Sequence, residues 1–166
     1  MMDRLWAPWR LEYIQGPEDD CCIFCVDEDP ADDQSRLIVI RGEYSYVIMN
    51  RYPYSNGHLM VSPYRHLSDP CELEKQEVLE IHEFMVLSQR VLREVCAAQG
   101  FNVGWNIGQA AGAGIADHIH MHIVPRWRGD SNFMPILADT RVIPQHIERT
   151  YTLLAKAFPG FHCNPA

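Results

Sequence analysis

His118-Ile119-His120-Met121-His122-Ile123-Val124 alternates imidazole and apolar side chains before closing on two apolar residues. Period-two alternation is the pattern of a β-strand with one face on a core. On such a strand His118, His120 and His122 share one face, with neighbours about 7 Å apart for a two-residue step. Ile119, Met121 and Ile123 point the other way, into a core. The register is strongly specified, because a slip of one residue would bury three imidazoles and expose three hydrophobes. Imidazole is a competent nucleophile and proton shuttle near neutral pH, and it is the commonest metal ligand. One histidine on such a strand reads as a hydrogen-bonded surface residue. Three in strict alternation after a glycine-rich segment point to chemistry.

That segment, Gly108 to Gly114, holds three glycines and three alanines among seven residues. Upstream of it, Phe101 to Ile107 alternates and reads as a strand. Leu37 to Ile40, Tyr44 to Asn50 and His58 to Ser62 read as three more strands, rich in branched and aromatic residues. Arg51 to Gly57 carries Pro53 and then Asn56-Gly57, so the last two should form an antiparallel hairpin. Asp69 as N-cap, Pro70 at the first helical position and Glu72 three residues after the cap announce a helix. Leu73, Ile81, Phe84, Met85, Val91, Leu92 and Val95 continue it at roughly helical spacing, and Gly100 ends it, which predicts one long helix over 70–98. A second helix should start near Pro144 and run through Leu153, Leu154 and Ala157 to Phe158. Asp27 to Ser35 is acidic and reads as a solvated loop. Residues 1–20, with Trp6, Pro8, Trp9 and Tyr13, read as an ordered extended arm. The fold class is α+β: a five-stranded antiparallel sheet with one long helix and a C-terminal helix, forming a single domain over 21–166 behind the arm.

Composition narrows the function. The chain has 166 residues, 47% hydrophobic and 22% charged, ordinary for a globular protein that needs no disulfides to fold. The formal net charge of −8 argues against a sequence-independent grip on nucleic acid, which needs a basic surface, but leaves room for a locally positive phosphate site. No window approaches the ~18 consecutive apolar residues of a membrane span. Met1 to Trp6 lacks a signal-peptide layout, so a cytoplasmic protein is expected. Of the six cysteines, Cys71 and Cys96 fall in the helical pattern as small hydrophobes, whereas Cys22-Ile23-Phe24-Cys25 has a C-x-x-C spacing suited to metal or redox chemistry. A redox role lacks the βαβ context of such motifs; a free reduced dithiol is the bland alternative.

His118 to Val124 resembles the signature of the histidine-triad family, H-φ-H-φ-H-φ-φ, at every position. Ile48-Met49-Asn50-Arg51, Gly57-His58-Leu59-Met60-Val61-Ser62-Pro63 and the helix after them are similar to the family in order and spacing, over about residues 20–127. The resemblance implies the histidine-triad α+β fold, as a homodimer with a sheet continuous across the subunits. Asn106 to Gly114, the triad, Pro125 to Phe133 and the early Leu5-Trp6-Ala7-Pro8-Trp9-Arg10 run look like the diadenosine tetraphosphate phosphorylase branch.

The resemblance implies roles. The middle histidine, His120, attacks the α-phosphorus of a nucleotide and forms a covalent nucleotidyl-histidine, which water or phosphate then resolves. His122 donates to a non-bridging oxygen, where charge accumulates in the transition state. Asn106, Ala113 and Gly114 fall at phosphate-contacting positions; many relatives have Gln where Gly114 stands, so only the backbone can serve there. The absence of side chains at Gly112 and Gly114 lets phosphate approach closely. Asn50 matches a ribose-binding position, against a plain turn role. His58 matches a position near the nucleoside pocket, against a structural histidine at a strand start. Trp127 is a candidate to stack on a base or cover a partner's site, against a core tryptophan. Zinc-bearing members of the superfamily supply His66 and His118 as partners for Cys22 and Cys25, giving a closed Cys2His2 structural zinc site and no organic cofactor. The implied activity is nucleotidyl transfer or hydrolysis on diadenosine tetraphosphate or a related dinucleoside polyphosphate. Adenosine phosphoramidase action is the alternative within the family. A non-catalytic nucleotide-binding interaction module is the alternative outside enzymes. The uridylyltransferase branch has Gln where this chain has His122.

Overall fold

Strands form where branched and aromatic residues run unbroken. In the computed structural model, which describes residues 22–27, 29–130 and 146–160, these are β1 (Ile38–Arg41), β2 (Ser45–Met49), β3 (Leu59–Pro63), β4 (Gly100–Trp105) and β5 (Met121–Arg126). All pairings are antiparallel, in the order β1-β2-β3-β5-β4. The helices are a short α1 (Asp33–Arg36), the long α2 (Lys75–Cys96) and α3 (Ile147–Ala157). The α+β class and the five-stranded antiparallel sheet are as the sequence predicts. The predicted arm over residues 1–20 and the start of the last helix near Pro144 lie outside the described residues.

Every residue of β2 and β3 is buried, because the sheet is covered on both faces. Val47, Met49, Leu59, Val61 and Ile123 join Ile81, Phe84, Leu87, Val91 and Leu92 of α2 in the main core. The opposite face carries a smaller cluster of Ile38, Tyr46, Ile48 and Met60, closed by Phe24. Met60 is directly opposite His122 in the β3–β5 ladder, which places the histidine row on this second face.

Four expectations are corrected. The histidine row is not all ladder: β5 begins at Met121, and His118 and His120 precede it. Both neighbours run out there, Met121 being the last residue opposite Val61 of β3 and Trp105 of β4. Upstream, the Ile119 N–H donates to Leu67 O instead (2.8 Å). The long helix is also broken at its start. Asp69 caps only a 3-10 turn over Pro70–Glu72, and Leu73 is extended. The α-helix starts again behind Glu74, whose N–H donates to the Glu77 carboxylate (2.7 Å). That carboxylate is buried and paired with Arg65 at 2.6 Å, so tertiary contact fixes the start that local capping signals placed earlier. At the other end Ala97, in the left-handed region (φ 51°), closes α2, while Gly100 is the first residue of β4. Lastly, the acidic segment is ordered into a 3-10 turn and α1, with the Arg41 guanidinium donating to Asp33 Oδ1 and Asp27 O. No described helix is long and apolar enough to cross a membrane.

Candidate active site and metal centre

The segment carrying Cys22 and Cys25 lies across the histidine face of the sheet. A turn in which the Cys25 N–H donates to Cys22 O (3.0 Å) drives Phe24 inward until it is 2% exposed. The buried Tyr46 hydroxyl donates to Phe24 O (2.8 Å), and burial raises the phenol pKa, keeping it a neutral donor. The Phe24 ring stacks on His120 with centroids 4.4 Å apart and planes 23° apart, and it tilts against His118 at 5.6 Å. Far from facing open solvent, His118 and His120 are 0% and 8% exposed.

Hydrogen bonds fix which nitrogen of each imidazole carries a proton. His120 Nδ1 lies 2.9 Å from His118 O; a carbonyl only accepts, so Nδ1 carries the hydrogen and Nε2 keeps its lone pair. His118 Nε2 lies 3.0 Å from Pro63 O, so its lone pair is on Nδ1. His58 Nδ1 accepts the Tyr54 N–H (3.2 Å), with the Asn50 amide nitrogen also near at 3.3 Å. Its Nε2–H therefore donates to His122 Nδ1 (3.0 Å), leaving the His122 hydrogen on Nε2. The row thus offers a bare nitrogen at His120 beside an N–H at His122, their rings edge-on at 4.9 Å. Burial lowers the pKa of all three, that of His122 to about 4 with help from His120, so the imidazoles are neutral at pH 7. A neutral imidazole can be a nucleophile; an imidazolium cannot.

Four ligand atoms meet at the outer end of the row. The sulfurs of Cys22 and Cys25 and Nδ1 of His66 and His118 all lie within 4.8 Å of one another. The cysteine–histidine separations are 3.5 Å (Cys22–His118), 3.3 Å (Cys25–His66) and 3.8 Å (Cys25–His118). A tetrahedral zinc with its usual bond lengths sets sulfur and nitrogen about 3.6 Å apart. The donor set and spacing fit such an ion. The Pro63 carbonyl on His118 Nε2 would be the outer contact that orients this imidazole if it held a metal.

The glycine-rich segment leads into the row as an exposed loop with a 3-10 turn over Gln109–Ala111. Gly108 (φ 75°) and Gly112 (φ 83°) take conformations that disfavour other residues, yet a Cβ at either would meet nothing within 4 Å. The requirement at Gly112 is conformational and leaves open space above the backbone. The side chain of Asn50 is engaged within the chain, Oδ1 accepting the Tyr52 N–H (2.9 Å). Trp127 packs on the helix-side core and spends its indole N–H on Cys96 O (3.1 Å), so this chain does not bring it to the row.

A model of the HIT domain matches residues 31–129, more than half of the chain. The chain belongs to the HIT domain family. It is 39% identical over 170 residues to the AP-4-A phosphorylase of Mycobacterium tuberculosis, an alignment covering 93% of this chain and 83% of that protein. Its fold is similar to a Zn-bound histidine triad family protein from Mycobacterium smegmatis (TM-score 0.65, 27% identity, 85% of this chain and 95% of that one). It is also similar to a hypothetical histidine triad nucleotide-binding protein from Sulfolobus tokodaii (TM-score 0.62, 26% identity, 84% and 90%).

Three more residues stand in the site, of which the sequence pointed only to His58, as a match to a position near the nucleoside pocket or else a structural histidine. His58 is 0% exposed and bonded to His122; as one isolated histidine at a strand start it carries no periodic signal, and only strand pairing brings it to β5. Phe24 lies inside the C-x-x-C spacing, where it reads as filler, and the turn between the cysteines aims it at His120. Tyr54, whose ring stacks over His122 at 5.9 Å, belongs to the same enclosure.

Proposed function

We propose that this HIT domain chain is a nucleotidyl transferase or hydrolase that cleaves a dinucleoside polyphosphate, diadenosine tetraphosphate or a close relative, at an α-phosphate. His120 Nε2 attacks the α-phosphorus. An N–P bond forms and the bond from phosphorus to the bridging oxygen breaks, the nucleoside polyphosphate leaving with the electron pair. An oxygen of water or inorganic phosphate then attacks the same phosphorus, the N–P bond breaks back to His120, and AMP or ADP departs. Splitting one displacement into two is the gain of a covalent route. The His122 Nε2–H donates to a non-bridging oxygen as charge builds there. Asn106 and the backbone at Ala113 and Gly114 hold phosphate, and Asn50 holds the ribose.

The observation that carries this reading is the hydrogen bond from His120 Nδ1 to His118 O, which leaves Nε2 unprotonated on a buried, neutral ring. The 39% identity to a protein named AP-4-A phosphorylase supports the substrate class. Cys22, Cys25, His66 and His118 would hold a structural zinc that ties the N-terminal segment to the row. A Zn-bound relative at 27% identity supports that choice of metal. The chain acts as a homodimer in the cytoplasm; β4, which ends the sheet among the described residues, supports pairing by the backbone edge it offers a second copy.

Incubation with diadenosine tetraphosphate, with and without inorganic phosphate, tests the reading. ADP plus ATP formed only with phosphate makes the protein a phosphorylase; AMP plus ATP in either case makes it a hydrolase. Acid-labile AMP on the His120 peptide is expected in a rapid quench. Turnover that survives in His120→Ala would sink the nucleophile assignment. Elemental analysis should find about one zinc per chain. Light scattering should give twice the chain mass.

A further inference from the structure

We infer that Phe24 is a positioning residue for His120, and that the Cys22, Cys25, His66 and His118 cluster holds it in place. This rests on the reading of His120 as nucleophile. Its hydrogen bond to His118 O anchors one point of the His120 ring but leaves the ring free to rock about it. Two ring contacts close that freedom: Phe24, stacked at 4.4 Å, and His122, nearly perpendicular at 4.9 Å. Phe24 has no polar atom in its ring, so it restrains the imidazole without competing for the Nε2 lone pair. A histidine or asparagine in its place would offer a hydrogen-bond partner to that nitrogen.

Phe24 is itself over-determined. Cys22 and Cys25 bracket it, each within hydrogen-bonding distance of a cluster imidazole. Tyr46 holds its carbonyl from beneath. Ile38, Ile48 and Met60 share its buried cluster. With the four ligands drawn to one centre, the turn between the cysteines cannot open and the Phe24 ring cannot withdraw. The cluster then reaches the nucleophile by two routes, the His118 backbone and the Phe24 ring, and the second is an arrangement of this chain's own side chains.

The test uses the full chain as Phe24→Leu and Phe24→Met, each apolar and close in volume but without a flat face. Metal content should match the parent protein and KM for diadenosine tetraphosphate should stay within about twofold, while kcat falls roughly tenfold to a hundredfold, the scale of a misplaced reacting group. A kcat within about twofold of the parent in both variants would overturn the inference. The second readout needs no turnover and no variant. Nitrogen-15 shifts of the His120 ring should report a single Nδ1–H tautomer in the metal-loaded parent and a mixture after chelation; an unchanged single tautomer would remove the cluster's role. Because the tautomer is read without substrate, failure of the substrate assignment leaves this outcome legible. His120→Ala tests the nucleophile separately.

Discussion

His58 Nε2 lies 3.0 Å from His122 Nδ1, so a fully buried histidine outside the row sets the tautomer of its last member. The direction is fixed further back. The Tyr54 N–H can only donate, which makes His58 Nδ1 an acceptor and His58 Nε2 a donor. This relay of orientation runs from a loop backbone to the N–H that His122 presents.

His58→Ala should therefore cost activity through His122. A misplaced reacting group can cost up to about 100-fold. The Tyr54 N–H would also lose an acceptor, a stability penalty of about 1–3 kcal/mol. Steady-state kinetics and urea unfolding read the two effects. A variant with parental kcat would show that His122 needs no help in holding its tautomer.

The pH dependence has a definite sign. The His122 pKa is lowered to about 4 in the folded chain, from an ordinary 6.5. The unfolded chain then binds more protons between these values, so stability is fully present above about pH 6.5 and is lost as pH falls toward 4. One such group contributes a slope of at most about 1.4 kcal/mol per pH unit. The difference in unfolding free energy between the parent and His122→Gln should be constant from pH 8 to about 6.5 and shift against the parent as pH falls from 6.5 toward 4. A constant difference across that range would contradict the burial cause.

Metal removal should destabilise the fold, because a site that forms only in the native state adds its binding free energy to folding. With free zinc a thousandfold above Kd the gain is about 4 kcal/mol. Thermal melting with and without a strong chelator measures it, and Cys25→Ser should abolish the difference. Identical melting curves in a zinc-containing sample would refute a folding role for the four-ligand cluster.

Gly112→Ala isolates backbone conformation from steric fit. The residue has φ 83°, and an added Cβ meets nothing within 4 Å. The expected penalty is only the left-handed cost of about 1–2 kcal/mol, in a protein that still folds. A loss of several kcal/mol in urea unfolding would mean that the loop is packed more tightly than this open space implies.

The sequence alone determined the sheet, four of its five strands to within two residues at either end, and the three histidines of the row, because these are recorded in local periodicity and in a contiguous motif. The alternation from His118 to Val124 identifies the face whether or not every residue joins the ladder. Local signals misplaced the start of α2, since Asp69 and Pro70 do begin a turn, and only the distant Arg65 decides that Glu77 should anchor the helix behind Glu74. They also left Gly100 as a stop, when Ala97 closes the helix and frees Gly100 to begin β4.

Only the tertiary structure decided how the histidines are enclosed. The proton positions on His118, His120 and His122 depend on Pro63, His118 and His58, each reached across a strand or through the backbone of the row itself. The family resemblance named Cys22, Cys25, His66 and His118 as one set, but Cys22 and His118 are more than ninety residues apart, and only the fold gives the distances at which they meet. Phe24 is the clearest case. Its hydrophobicity is visible in the sequence, but its role depends on the orientation of a turn against a sheet face, which exists only once both have folded. Residue types are a local property of the chain; tautomers, stacking and ligand geometry are properties of pairs, and the fold alone makes the pairs.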